Sequence, residues 1–277
     1  MIRRLYPNGY KKAFNISYDD GVLQDIRFVQ LLNKYHIPGT FCLNSDLMQD
    51  GFVWVHPNGD MIKRLPLSDA ASLYRDHEVA SHTLTHPDFT GLPADEILRQ
   101  MQQDKDTLQR SCGCEVTGFG VPFDYFDITA MSCARACGFL YARNSEQSLS
   151  YTPPYDYYNW SAGIFHLNPL LGQYVQSFFD TEEELALCQI VGHAYDLDIE
   201  NMWDRIERIL KRVSQDDTVI CLTHSQLVTY LKAMRTAWVS DDVIDNRSSQ
   251  ALWFEVDGSV IKLLPGQRYT CGQYTHQ

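Results

Sequence analysis

The stretch A-F-N-I-S-Y-D-D-G, residues 13–21, indicates the fold class of this 277-residue chain. Apolar, β-favouring side chains alternate with polar ones as far as Tyr18, and Asp19, Asp20 and Gly21 end the run. This alternation before two acids and a glycine is typical of a β-strand that turns into a loop. Barrel-type α/β enzymes keep their active sites at the carboxyl ends of such strands. The two carboxylates are therefore candidate site residues.

A second stretch, H-E-V-A-S-H-T-L-T-H-P at residues 77–87, has a similar organisation. Residues 78–80 are predicted to form a short strand, and His82 and His86 follow its carboxyl end. No glutamate stands next to His82, so the pattern is not the H-E-x-x-H of the zinc proteases. The two histidines are therefore expected at the same edge of the sheet as the acid pair.

These side chains fit a metal site. One carboxylate and two imidazoles form an accepted ligand set that leaves a coordination position open. Asp20, His82 and His86 would supply this set, and Asp19 beside it would act as a general base. Each pattern alone has an ordinary alternative, since D-D-G is common in solvated turns and H-x-x-x-H in histidines without a metal. Their joint position after successive predicted strands favours the metal site.

Strand-like and helix-like segments alternate along most of the chain, which predicts a parallel α/β sheet or barrel. The predicted strands comprise residues 13–18, 40–43, 78–80, 116–119, 140–142, 187–192 and 218–222. The predicted helices comprise residues 22–35, 93–110, 129–137, 203–213 and 227–236. Seven strands are close to a barrel count. Residues 251–265 predict a β-hairpin with Asp257 and Gly258 at a two-residue turn, as a C-terminal extension at about residues 250–265.

Length and charge limit the classes of protein to consider. We expect a single domain over residues 1–277, with the barrel at about residues 13–240. The formal net charge of -12 disfavours nucleic acid as a partner, because phosphate recognition needs clustered Lys and Arg. No segment resembles a signal peptide or a membrane span, which predicts a cytoplasmic protein without a membrane partner. The sequence does not indicate an oligomeric state.

The eight cysteines are scattered and lack C-x-x-C spacing, which predicts reduced, mostly structural thiols. Cys112 and Cys114 flank Gly113 in a predicted loop and leave a redox role open.

An irregular segment at residues 150–180 is dense in aromatic side chains. Aromatic faces stack on sugar rings, so the segment is either a wall of a glycan cleft or a long loop held by its own packing. Trp160 is the residue we expect to contact a sugar.

The two stretches that carry Asp19, Asp20, His82 and His86 resemble the first two motifs of the polysaccharide deacetylases. These are the carbohydrate esterases of family four, with the nodulation-type deacetylase homology domain. The resemblance covers about residues 13–222 and implies a distorted (β/α)7-type barrel. It also implies that Asp19 is the catalytic base and that the other three residues hold one divalent metal ion. Zinc suits these donors best, with cobalt, nickel, iron or manganese as alternatives.

The third motif of that family normally begins with an arginine that steadies the base. Here G-F-G-V-P-F at residues 118–123 has Gly120 in that place, which resembles a branch of the family that lacks this arginine. The resemblance implies that the backbone N–H of Phe123 helps to hold the oxyanion and that Phe123 lies at the substrate. Arg143, in Y-A-R-N-S, is a candidate for the missing cation at the substrate site, with a surface arginine as the alternative.

The family also places a histidine after a late strand, as general acid for the leaving group. Two histidines compete for this role, His193 in I-V-G-H-A-Y-D and His224 in C-L-T-H-S-Q. A helix and a further strand are predicted after His193, as the family pattern requires. His193 is therefore our prediction.

The resemblance implies a metal-dependent hydrolase that removes acetyl groups from an N- or O-acetylated carbohydrate. Two other functions stay open: hydrolysis of an amide or ureide C–N bond in a small molecule, and sugar binding without catalysis. The presence of all three predicted ligands favours an enzyme with a carbohydrate or small-molecule substrate.

Overall fold

Parallel strands and their connecting helices make up most of the structure, a computed structural model that describes residues 2–48, 52–123 and 126–270. The strands, in chain order, are β1 (Ile2–Leu5), β2 (Lys12–Asp19), β3 (Thr40–Leu43), β4 (Val53–Val55), β5 (Met61–Lys63), β6 (Glu78–Ser81), β7 (Gly118–Gly120), β8 (Tyr141–Arg143), β9 (Ile164–Phe165), β10 (Ala186–His193), β11 (Val219–Cys221), β12 (Trp238–Val239), β13 (Val243–Asp245), β14 (Leu252–Val256), β15 (Ser259–Leu263) and β16 (Arg268–Thr270). The α-helices are α1 (Asp25–Lys34), α2 (Leu67–Leu73), α3 (Ala94–Cys112), α4 (Ile128–Ala136), α5 (Leu171–Asp180), α6 (Ala194–Ile199), α7 (Trp203–Ser214) and α8 (His224–Thr236).

Seven parallel strands form a curled sheet in the order β8-β7-β6-β3-β2-β10-β9, and β11 pairs with the first half of β2. The central strands β2 and β10 are buried along almost their whole length, as expected where helices cover a parallel sheet. The predicted α/β fold with a distorted (β/α)7-type barrel is therefore confirmed. The strand predicted at residues 218–222 corresponds to β11, which among the described strands pairs only with β2. The seventh strand of the curled sheet is β9, at the sheet edge.

The two edges of the curled sheet are joined through the segment that precedes β9. Arg143 of β8 forms an isolated parallel β-bridge with Trp160, and Gln147 forms another with Gly163. The N–H of Trp160 donates to the carbonyl of Ala142 at 3.2 Å. Residues 150–180 are thus not one irregular loop, because they close the barrel and contain β9 and α5. Few apolar alternations mark so short a strand, which is why the sequence did not reveal it.

Local signals place the ends of several helices. Thr223 and Gln226 form a capping box at the start of α8, and Asp127 accepts from the N–H of Ala130 at the start of α4. Gly113 ends α3 with φ 66°, the left-handed conformation that favours glycine.

The C-terminal part of the chain forms small antiparallel sheets. Strands β14 and β15 make the predicted hairpin, with Asp257 and Gly258 both at positive φ in its turn. Strand β1 pairs with β14, so the start of the chain is hydrogen-bonded to this extension. None of the described helices is long and apolar enough to cross a bilayer.

Candidate active site

Strand register brings the predicted residues to one edge of the sheet. Asp19 at the end of β2 is the register partner of His193 at the end of β10. Gly120 at the end of β7 is the partner of Arg143 at the end of β8. His82 directly follows β6. Because these strands are parallel, their carboxyl ends meet at the mouth of the barrel, as predicted.

Asp20, His82 and His86 converge at this mouth. One ligand atom of each residue lies within 4.8 Å of the other two. Nε2 of His86 is 3.1 Å from Nε2 of His82 and 3.8 Å from Oδ1 of Asp20. Among the described residues this is the one group of three or more acids, histidines and cysteines with such a geometry. It is the set that the sequence predicted.

The ring of His82 is fixed in an orientation that suits metal binding. Its Nδ1–H donates to the carbonyl oxygen of Gly120 at 2.8 Å, which leaves the Nε2 lone pair for the site. Its backbone N–H donates to Oδ2 of Asp104 at 3.2 Å. Burial lowers the pKa of His82 to about 4, and it also lowers the pKa of His86. Both rings are therefore neutral at pH 7, the state in which imidazole is a ligand.

Asp20 is buried next to Arg64, a contact that the sequence did not indicate. Nη1 of Arg64 lies 3.1 Å from Oδ1 of Asp20 and also 3.1 Å from Oδ1 of Asn44. The guanidinium stacks over Trp54, with 4.7 Å from Cζ to the ring centroid. Burial alone would raise the pKa of Asp20, but Arg64 holds it below its usual range. Oδ1 of Asp20 still lacks a well-oriented donor among the described residues, so this buried oxygen is suited to a cation.

Backbone strain is concentrated at this mouth. Asp20, Thr83, His86 and Phe123 have φ values of 87°, 69°, 53° and 54°. Non-glycine residues rarely adopt this left-handed region because it is higher in energy. They keep this conformation only where the surrounding contacts fix the backbone. The turn at Asp20 explains how two adjacent carboxylates reach one site, although neighbours on an extended strand point apart.

Arg143 is the cation that pairs with Asp19. Its Nη2 donates to Oδ1 of Asp19, and it lies 3.5 Å from Ser17 Oγ and 3.4 Å from Cys42 Sγ. Arg143 is 2% exposed, which excludes the alternative of a surface arginine. A Cβ at position 120 would lie 2.6 Å from Cys42 Sγ and 3.1 Å from Arg143 Nη2. The glycine in the third motif therefore leaves the space that this guanidinium fills.

The charge state of Asp19 follows from this contact. Burial would raise the pKa of Asp19, but Arg143 and the nearby histidines His82 and His193 hold it below its usual value. Asp19 is therefore an ionised carboxylate at neutral pH. It can accept a proton but cannot donate one.

The side chain of His193 is oriented by the carboxylate of Asp196, which also contacts His166. Oδ2 of Asp196 lies 3.0 Å from Nδ1 of His193 and 3.2 Å from Nε2 of His166. Nδ1 of His166 accepts from Oη of Tyr18 at 2.7 Å. Burial would lower the pKa of His193, but Asp196, followed by Asp20, raises it above its usual value. Nε2 of His193 faces the site, 3.9 Å from Oδ2 of Asp20.

His224, the competing candidate, lies elsewhere. It is 1% exposed at the start of α8, and its Nδ1 is 3.3 Å from Oγ1 of Thr40 at the amino-terminal end of β3. The structure therefore brings His193 to the mouth of the barrel and not His224.

A cleft of about 350 Å³ opens over these groups. Its outer lining includes the uncharged side chains of Phe123, Ser145, Gln147, Phe165 and Tyr195. Phe123 is 54% exposed, and its ring centroid lies 4.6 Å from that of His86. The cleft is large enough for a small sugar unit, and the half-exposed Phe123 lies at its rim.

Trp160 does not line this cleft, so the prediction that it contacts a sugar is wrong. The side chain is 0% exposed and packs against Tyr141 and His224, with ring centroids 5.7 and 4.7 Å apart. Trp160 is the bridge partner of Arg143 at the barrel closure, and side chains of paired residues share a face of the sheet. The ring therefore points into the barrel and fills its interior.

Comparison with known sequences gives a family match. Residues 7–142 match the family model for polysaccharide deacetylase. A chitooligosaccharide deacetylase from Rhizobium leguminosarum bv. trifolii is 25% identical over 99 residues, which cover 35% of this chain and 40% of that protein. The match thus spans about two fifths of the length of this curated relative.

Solved structures share the fold at low identity. A Mycobacterium smegmatis protein described as a candidate polysaccharide deacetylase is 14% identical, with a TM-score of 0.60 over 84% of this chain and 94% of its own. A mutant of a family 4 carbohydrate esterase pseudoenzyme from Bacillus anthracis, with restored activity, is 16% identical, with a TM-score of 0.54 over 82% and 70%. Since the fold is common to enzymes and a pseudoenzyme, activity has to be argued from the site.

Proposed function

We propose that the chain is a metal-dependent hydrolase that removes acetyl groups from an N- or O-acetylated carbohydrate, in keeping with the match of residues 7–142 to the polysaccharide deacetylase model. The observation that carries this proposal is the convergence of Asp20, His82 and His86 beside an arginine-paired Asp19. A binding protein without catalysis would not need a buried base held in this way.

The three converging residues fit a divalent metal ion. Two neutral imidazoles direct ring nitrogens at one point, and the buried Asp20 Oδ1 lacks a well-oriented donor among the described residues. When bound there, the ion would polarise the acetyl carbonyl and acidify water. One carboxylate and two imidazoles suit zinc best, and cobalt, nickel, iron and manganese are also compatible.

The remaining groups of the chain divide the proton transfers between them. Asp19, kept ionised by Arg143, takes a proton from the water that attacks the acetyl carbon. The backbone N–H of Phe123 supports the developing oxyanion. His193, oriented through Nδ1 by Asp196, gives a proton from Nε2 to the departing nitrogen or oxygen. Acetate and the deacetylated sugar are the products.

We further propose that residues 1–277 form one catalytic domain, with a barrel at about residues 13–240 and a hairpin at about residues 250–265. Side chains from both parts support this, since Ala13 and Leu187 of the barrel share one buried apolar cluster with Leu252 and Phe254. The substrate is a carbohydrate or small molecule rather than nucleic acid, in keeping with the net charge of -12.

The test combines metal analysis with acetate release. Wild type, Asp20→Ala and the control Asp69→Ala are purified in parallel; Asp69 is an exposed residue of α2. We expect wild type and control to carry one divalent ion and to release acetate from N-acetylglucosamine oligomers or acetylated xylan. Asp20→Ala should lose both metal and activity. Equal metal content in all three proteins would contradict the proposed ligand set.

The substrates also separate the other two functions. Turnover of a small amide or ureide without acetate release would favour C–N hydrolysis in small molecules. Metal and sugar binding without any turnover would favour a silent binding protein.

A further inference from the structure

Cys112 and Cys114 form a close pair of thiols at the C-terminal end of α3. Cys112 is the last residue of the helix, and Gly113 turns the chain with φ 66° and ψ 26°. Each thiol has the largest influence on the pKa of the other, through a contact between the two side chains. Of the seven cysteines within the described residues, Cys114 is the one with an exposed side chain, and Cys112 is half-buried.

The backbone geometry permits a disulfide between them. Two consecutive trans peptides separate the Cα atoms by at most about 7.6 Å, and a left-handed turn shortens that span. A disulfide needs Cα atoms roughly 4.4–6.8 Å apart. A Cβ built at Gly113 would meet nothing within 4 Å, so a small reagent can approach the turn.

The two thiols differ in chemical character. The contact with the Cys112 thiol lowers the pKa of Cys114 to about 7, and the same contact raises the pKa of Cys112. Cys114 is therefore partly thiolate at neutral pH, and Cys112 remains a thiol. Burial raises the pKa of the buried Cys42 and Cys188 instead, so these thiols are unreactive.

We propose that Cys112 and Cys114 are a reversible dithiol–disulfide site that low-molecular-weight disulfides of the glutathione type oxidise. The Cys114 thiolate attacks one sulfur of the reagent and forms a mixed disulfide, and one glutathione thiolate leaves. Cys112 then loses its proton and attacks the Cys114 sulfur, which expels the second glutathione. The protein gives up two electrons and two protons, and the reagent becomes two thiols.

The experiment titrates the full-length protein with oxidised glutathione at pH 7 and maps the peptides by mass spectrometry. In wild type, the peptide that contains residues 112–114 should lose the mass of two hydrogens and retain no glutathione. In Cys112→Ser, a glutathione adduct should persist on Cys114. In Cys114→Ser, neither product should form on this peptide. A stable adduct in wild type, or two free thiols at excess reagent, would overturn the proposal.

Alkylation kinetics provide a second, independent measurement. Loss of the Cys112 contact should return the Cys114 pKa towards its ordinary value, which lowers the thiolate fraction at pH 7 while each thiolate becomes more nucleophilic. The net expectation is alkylation of Cys114 by iodoacetamide that is about sixfold slower in Cys112→Ala, which unlike serine leaves no donor at position 112. An unchanged rate would show that the pair is not coupled. Acetate release should be the same in all three variants, because neither cysteine lies in the cleft.

Discussion

Replacing Arg143 with glutamine tests the contact on which the proposed base depends. Arg143 is 2% exposed and Asp19 is 7% exposed, so the change leaves a buried carboxylate without its cation. Removing one partner of a buried ion pair costs about 3–5 kcal/mol of unfolding free energy. Asp19→Asn leaves the guanidinium unpaired and should cost a similar amount. Because Arg143 Nη2 also lies near Ser17 and Cys42, part of its contribution does not depend on Asp19.

A double-mutant cycle isolates the pair. Urea unfolding at pH 7 is measured for wild type, Arg143→Gln, Asp19→Asn and the double variant, and the coupling energy is expected to be about 2–3 kcal/mol. The surface pair of Arg135 with Asp156, 3.8 Å apart and about half exposed, is the matched control. Arg135→Gln should change the unfolding free energy by less than about 1 kcal/mol.

The same variants separate positioning from binding. If Arg143 orients Asp19, Arg143→Gln should lower kcat about a hundredfold with little change in KM, because a small misplacement of a base slows proton transfer. Additive stability effects in the cycle, with coupling below about 0.5 kcal/mol, would refute the reasoning. An Arg143→Gln variant that keeps the wild-type kcat would also refute it.

Two further predictions concern buried side chains away from the cleft. Burial raises the pKa of Asp25 to about 7, so between about pH 4 and pH 7 the folded state holds more protons and stability falls as pH rises. In urea unfolding, the free-energy difference between wild type and Asp25→Asn should fall by about 1.4 kcal/mol per pH unit across that window, whereas a constant difference would contradict the assignment. Trp160→Ala should cost about 3–5 kcal/mol of unfolding free energy and leave KM unchanged at a temperature where it is folded. A raised KM would instead return Trp160 to the substrate site.

The sequence predicted most of the barrel because its strong signals are local. Strand β3 has the predicted bounds, and α7 ends within one residue of the prediction. Strand β9 and helix α5 were missed, because a two-residue strand has no periodicity and aromatic residues obscured the helix. The helix does carry an apolar stripe, at Leu171, Tyr174, Val175 and Phe178, which could have revealed it.

Within the site, motif spacing predicted the side chains but not their partners. Arg64 follows a three-residue strand and reaches Asp20 from a distant part of the chain, so no local pattern marks it. No local pattern indicates that His166 contacts Asp196 either. Asp196 did have a signal, since it stands three residues after His193 at the start of a helix, where such residues share a face. Trp160 was misplaced because side-chain direction depends on the barrel closure, which is a long-range contact.

The pairing of β2 with β10 affects how the chain folds. The strand with Asp19 finds its longest partner only after more than half of the sequence has been made. Such a distant pairing has a high loop-closure cost, so it slows folding and leaves an unpaired, apolar strand edge on the nascent chain. A fragment that ends at residue 142 would contain the whole family match and the proposed metal ligands. It would lack the strand with His193 and would expose that edge to aggregation.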